Sequence, residues 1–365
     1  MIWFLGILII LCLIVALYMQ QEKFGRKPSG KRLELIKQSP NFKNGAFQNI
    51  HPTPNFAEDA NIFSALKDFV FGRDKRNQPK DSIPSIRTDL KHLDISQNLL
   101  VWFGHSSYFM QIDGKTFLVD PVFSGAASPV KLTTKAFKGS DAYTVNDLPE
   151  IDYLFISHDH WDHLDHKTVK QLIPKVKKII TGLGTGEHLE YWGYHSNIII
   201  ERDWNETIPL DAGFTVYTTP ARHFSGRGFK RNQALWTSWV LQTPSLKIYM
   251  GGDSGYDTHF AEIGNRYGPF DLAILEHGQY NHTWKYIHMM PGEPLKAMRD
   301  LKAKALLPVH SGKFALALHA WDEPLKNITA TFKNTDIRVL TPIIGEKVNL
   351  QDTAQVFTHW WQGLN

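Results

Sequence analysis

The pattern of apolar and polar positions divides the chain into three stretches. Residues Ile2 to Met19 carry no charged side chain and are almost wholly apolar. At 1.5 Å per residue they predict a helix of about 27 Å, near the thickness of a bilayer's hydrocarbon layer. No Lys or Arg precedes the run and no A-x-A pattern follows it, so an uncleaved anchor over residues 1–20 is favoured over a cleaved signal peptide. Lys23, Arg26, Lys27, Lys31 and Arg32 all follow the run. The positive-inside rule then puts the rest of the chain in the cytoplasm, as a single-pass membrane protein. Residues 21–97 are polar and interrupted by proline, and read as a tether and N-terminal extension, with a short amphipathic helix over Asn61 to Phe71.

From residue 98 to 365 the pattern is that of a folded body. Short apolar runs at Leu99 to Phe103, Tyr108 to Ile112, Thr116 to Val119 and Asp152 to Ile156 predict strands. Asp113-Gly114 between the second and third predicts a hairpin turn. Further strands are expected at Thr215 to Thr218, Ser238 to Gln242, Lys247 to Met250 and Ala305 to Pro308, with helices at Asp165 to Leu172 and Glu293 to Leu301. Strands and helices in alternation, with polar clusters at strand ends, predict an α/β sandwich.

Composition narrows the chemistry. The chain has 365 residues, 42% hydrophobic and 21% charged, enough for a large core. Its net charge of +4, with no basic stripe, speaks against a nucleic-acid partner. The one cysteine, Cys12, excludes both an intrachain disulfide and a Cys-based metal site. Any metal must be held by His and carboxylates.

The string Ser157-His158-Asp159-His160-Trp161-Asp162-His163 follows an apolar strand directly. In an extended loop, alternation points His158 and His160 the same way and leaves Asp162 and His163 for a second centre. Imidazole and carboxylate suit zinc and related divalent ions. A solvated loop with chance histidines is the bland alternative. His223, Asp253 and His310 each stand just after an apolar run; singly each reads as a loop, turn or core residue, but with the first string they make seven donors. Asp159 lies between two ligand histidines and either orients one or turns the loop. Asp120 either supports a ligand from behind or forms the turn before Pro121. Gly252-Asp253-Ser254-Gly255 has the look of a serine-protease nucleophile, but one cysteine and the metal string argue against it. Gly182-Leu183-Gly184-Thr185-Gly186 lacks dinucleotide-loop spacing and reads as a turn.

Several stretches carry a family resemblance: Gly104-His105-Ser106-Ser107, Phe117 to Phe123, Ala127-Ser128-Pro129, Ile156 to Asp165, Gly252 to Tyr256, Glu262 to Leu272, and His310 with Lys313 to Leu316. In these the chain resembles the metallo-β-lactamase superfamily, and within it the N-acylphosphatidylethanolamine-hydrolysing phospholipases D and their bacterial relatives, over residues 98–325. The resemblance implies an αββα sandwich. It implies two divalent ions, expected to be zinc, one held by His158, His160 and His223 and the other by Asp162, His163 and His310, with Asp253 bridging. Asp162 and His288 are the residues expected to act in catalysis, although a lone loop histidine such as His288 is often incidental. The sequence departs from the phospholipases at Leu275 to Tyr280, where Glu276-His277 replaces an apolar, Pro-containing segment, and at Ser311, where an aromatic is usual. The implied activity is phosphodiester hydrolysis on a phospholipid. The alternatives are hydrolysis of a lactone or β-lactam on the same metals, and a non-catalytic membrane-anchored binding protein.

Overall fold

The computed structural model describes residues 2–365. Helix α1 (Ile2–Met19) forms where the apolar run predicts it. The expected anchor is nevertheless corrected: among the described residues, no helix is long and apolar enough to cross a membrane. The 18 residues of α1 rise about 27 Å, short of the roughly 30 Å that a span must cover. At its C-terminal end the chain docks on the body, where Tyr18 Oη and Lys23 Nζ donate to the Pro129 carbonyl at 2.7 and 2.9 Å. The single-pass placement, and the cytoplasmic orientation drawn from the five basic residues, lose their basis with it.

Residues 21–97 lie against the body. Helix α2 (Gly30–Gln38) is followed by a two-stranded ribbon, β1 (Phe42–Lys43) and β2 (Ala46–Phe47), and by α3 (Ile62–Phe71). Asn61 caps α3 by accepting the N–H groups of Phe63 and Ser64. Ile36 and Phe47 are buried with Trp204, Leu235 and Trp236. Arg32 donates to Glu187, Glu190 and Glu201 at 2.8, 2.7 and 2.6 Å, fastening α2 to the body.

The body begins with β3 (Leu99–Trp102), β4 (Tyr108–Ile112), β5 (Lys115–Val119) and β6 (Ile151–Ile156). Asp113 and Gly114 both have positive φ, 48° and 77°, the backbone of a tight hairpin turn. Next come α4 (His166–Leu172), β7 (Val176–Gly182), α5 (Gly186–Tyr191), β8 (Ile199–Arg202), β9 (Thr207–Pro209), β10 (Thr215–Thr219), β11 (Ser238–Gln242) and β12 (Lys247–Met250). The Gly182–Gly186 stretch is the β7–α5 turn. The chain closes with α6 (His259–Tyr267), β13 (Leu272–Glu276), α7 (Glu293–Leu301), β14 (Ala305–Val309), α8 (Glu323–Phe332), β15 (Arg338–Val339) and β16 (Lys347–Asn349).

The strands form two seven-stranded sheets, ordered β16-β3-β4-β5-β6-β7-β8 and β15-β14-β13-β12-β11-β10-β9. Period-two alternation explains how they stack. Met110, Phe155, Met250 and Ile274 point between the sheets into one apolar layer. Their neighbours Phe109 and Leu154 face outward, onto Val169 and Leu172 of α4 and Leu189 of α5. Tyr249 and Ala273 face the other way, onto Phe260 of α6 and Ala297, Met298 and Leu301 of α7. The result is an α/β fold of layers α, β, β and α. Strands β5 to β8 run parallel, as do β12 to β15. Their C-terminal ends meet on one edge of the sandwich, where the loops of parallel strands collect polar side chains.

Candidate metal centre

Each donor predicted from sequence follows a strand that ends on this edge. His158 to His163 follow β6, His223 follows β10, Asp253 follows β12 and His310 follows β14. The turns on this edge are tightly constrained. Gly252 has φ 59°, and a side chain there would press on Ser157. A Cβ at Gly278 would lie 1.7 Å from the His310 carbonyl oxygen, so the loop after β13 can pass His310 only as glycine. His310 itself, with Asp120 after β5 and His105, holds positive φ, at 69°, 42° and 53°, a region costly for residues other than glycine.

The side chains converge. Nε2 of His158 lies 2.8 Å from Nδ1 of His160, and Nε2 of His223 lies 3.2 Å from the same atom. Oδ2 of Asp253 is 3.1 Å from His163 Nε2, 3.7 Å from His223 Nε2 and 3.9 Å from His158 Nε2. Oδ1 of Asp253 faces His310 Nδ1 at 3.3 Å. Asp162 Oδ2 is 3.5 Å from His163 Nε2 and 4.0 Å from His310 Nε2. Four overlapping groups of side chains each bring their donor atoms within 4.8 Å: His158, His160 and His223; His105, Asp162, His163 and His310; His158, His163 and Asp253; and His223, Asp253 and His288.

The donor set fits cations. One proton between His158, His160 and His223 can satisfy one nitrogen pair, whereas a cation satisfies all three lone pairs. His163 Nε2 and Asp253 Oδ1 are buried without a hydrogen-bond partner. Burial holds the His158, His223 and His310 imidazoles well below their ordinary pKa, so they are neutral donors at pH 7. Burial pushes Asp162 and Asp253 up, but the histidines around them together outweigh it, His163 and His105 at Asp162 and His163, His310 and His158 at Asp253, and hold both well below the usual carboxylate range.

Behind the donors, Asp120 accepts the Ser157 N–H at 2.8 Å and faces His163 Nδ1 at 2.8 Å. Asp159 points away from the donors. It accepts the Gly226 N–H at 2.6 Å and faces His188 Nε2 at 3.3 Å, and so ties the loop to its neighbours. Arg227, whose guanidinium lies 3.9 Å from the Trp161 ring centroid, donates to the carbonyls of Asp159 and Leu164 at 2.9 and 2.7 Å. His288 lines the cavity over the donors.

Two residues here carry no role in the sequence reading, and a third, Glu276, enters it only as a departure from a pattern. His105 Nε2 lies 2.9 Å from Asp162 Oδ2; its only signal was membership of the Gly104 to Ser107 motif. Arg231 lines the cavity, with its guanidinium 4.7 Å from the Phe224 ring centroid. Glu276 is fully buried beside His288, and was visible only as a departure from the phospholipase pattern.

A family model described as "Beta-lactamase superfamily domain" matches residues 115–311. The chain belongs to this superfamily, and it is a metal-dependent hydrolase of metallo-β-lactamase fold. An uncharacterised protein of Mycobacterium tuberculosis is 38% identical over 333 residues, 90% of this chain and 89% of the relative. The N-acyl-phosphatidylethanolamine-hydrolyzing phospholipase D 1 of Caenorhabditis elegans is 30% identical over 233 residues, 59% of this chain and 64% of the relative. Among solved structures, Igni18, a metallo hydrolase of Ignicoccus hospitalis, matches with TM-score 0.55 at 21% identity, over 69% of this chain and 98% of that one.

Proposed function

We propose that the protein is a binuclear zinc phosphodiesterase of the phospholipase D type, acting on N-acylphosphatidylethanolamine-like lipids. In this reading His158, His160 and His223 hold one ion, Asp162, His163 and His310 hold the other, and Asp253 lies between them. The observation that carries it is two donor groups, His158, His160 and His223 in one and Asp162, His163 and His310 in the other, with Asp253 within 4 Å of members of both, at the floor of a cavity of about 330 Å³. Phe56, Phe69, Phe224, Trp284, Ile287 and Leu316 give that cavity an apolar wall. Arg231 is the cationic side chain along it, suited to a phosphate oxygen. The names of the Caenorhabditis elegans relative and of a yeast phospholipase D, 32% identical over 237 residues, support the same substrate class.

When bound, two divalent ions supply Lewis acidity and activate water at neutral pH. The chain's own residues do the rest. Arg231 and the apolar wall orient the diester. Water adds to phosphorus, the bond from phosphorus to the headgroup oxygen breaks, and that oxygen takes its proton from His288. The proton lost by water passes to solvent, from which His288 regains the one it gave up. Burial pushes the His288 imidazole down, but Glu276, with Asp253 and Asp162, outweighs it and raises it, the direction that suits a proton donor.

The test is to incubate the zinc-replete protein with detergent-dispersed N-acylphosphatidylethanolamine and measure phosphatidic acid. Release that is lost on chelation and restored by zinc is expected. Turnover of a lactone or carboxylic ester without any phosphatidic acid would overturn the assignment.

A further inference from the structure

Glu276 is the last residue of β13 and is 0% exposed. A carboxylate removed from water is costly unless hydrogen bonds replace its hydration. Its Oε1 accepts the N–H of Met289 at 2.5 Å. Its Oε2 faces His288 Nδ1 at 3.5 Å, and neither of these two buried atoms has a hydrogen-bond partner. One carboxylate therefore meets both the His288 side chain and the peptide that follows it. The His288 ring stacks on that of His310 at 5.1 Å and meets that of His223 at 5.1 Å, each measured between centroids.

We propose that Glu276 is a positioning residue, which accepts from the Nδ1–H of His288 and so turns the N–H at Nε2 of the same ring toward the scissile bond. The inference rests on the reading of His288 as the group beside the leaving oxygen. The physics is that of any carboxylate behind an imidazole: the hydrogen bond on one ring nitrogen fixes the tautomer and direction of the other. A role confined to fixing the loop would need the Met289 N–H alone. The facing pair of unpartnered atoms gives the second carboxylate oxygen its own purpose.

The experiment uses the zinc-loaded protein with Glu276→Ala, Glu276→Gln, His288→Ala and the double variant Glu276→Ala/His288→Ala. Turnover of bis(p-nitrophenyl) phosphate is measured together with bound zinc and the 15N spectrum of histidine-labelled protein. Glu276→Ala is expected to lower kcat about 10²-fold, as for a misdirected proton donor, with KM and zinc content unchanged. The double variant should be no slower than His288→Ala alone. Glu276→Gln keeps an acceptor and should retain about tenfold more activity than the alanine variant. It also serves if Glu276→Ala does not fold. In the spectrum, the Nδ1–H of His288 should be held in a hydrogen bond in the parent and lose that hydrogen-bond signature in Glu276→Ala. Multiplicative losses in the double variant, loss of zinc, or an unchanged His288 Nδ1 signal would each overturn the proposal. If the parent hydrolyses no phosphodiester, the phosphodiesterase reading fails, and the spectrum alone decides the positioning role.

Discussion

At the scale of single residues, the site is a set of lone pairs crowded together by backbone geometry. His160 sits at the meeting point of His158 and His223, at 2.8 and 3.2 Å. His160→Ala is expected to abolish zinc binding at that group and to cut hydrolysis by at least about 10³-fold, with the far-UV spectrum of the parent. Elemental analysis and circular dichroism check this; full activity at unchanged metal content would contradict it. The His158 to His163 string was legible because six consecutive positions hold three His and two Asp right after a strand, four of them donors. His223, Asp253 and His310 were legible by their places at strand ends. His105 and Glu276 were not, because each works through a partner distant in sequence. Asp162 is 57 positions from His105, and the turn that brings Glu276 to His288 has no periodic signal.

At the scale of elements, the expected hairpin formed at Asp113-Gly114, and it does more than turn the chain. Asp113 accepts from Thr243 Oγ1 at 2.7 Å and from the Ser245 N–H at 3.0 Å. The β4–β5 turn of one sheet is thereby tied to the β11–β12 turn of the other. Burial pushes the Asp113 carboxyl up, but the hydrogen bonds from Thr243 and Ser245 outweigh it and lower its pKa. A group depressed in the folded state stabilises above its unfolded value of about 3.9, and loses that contribution as pH falls through the folded value. Asp113→Asn keeps the turn but loses the charge, so it should cost about 1–2 kcal/mol at pH 7. The difference should shrink below pH 4, as read from urea unfolding at both pH values. Strands β7 and β8 and helices α5, α6 and α8 were not expected. Two lysines interrupt the apolar run of β7, at exposed positions that the pattern alone could not assign to a sheet. Helix α6 has Gly264 in its middle, which weakens any helical reading; a Cβ there would strike the Asp300 carbonyl, so close packing on α7 demands glycine.

At the scale of the whole molecule, the sandwich followed from its strand ends, and α1 from its apolar run, while the membrane span read from that run did not hold. Its side chains from Trp3 to Leu17 are largely exposed, and it is joined to the body through Tyr18 and the turn beyond. Deleting residues 2–16 should leave the melting temperature within about 2 °C, since little apolar area is buried there. It should also reduce self-association, because an exposed apolar patch of that size favours contact between molecules. Calorimetry and sedimentation velocity measure the two effects.

The left-handed backbone at His105, Asp120 and His310 has a further consequence. Glycine at any of them would relieve roughly 1–3 kcal/mol of strain, but it would also empty a buried space and strip a partner from Ser157, Asp162 or Ser106, a loss of similar size. Laboratory evolution that rewards heat resistance without assaying turnover would therefore find no easy gain at those three codons, because the side chains that do the chemistry are also the ones that hold these turns.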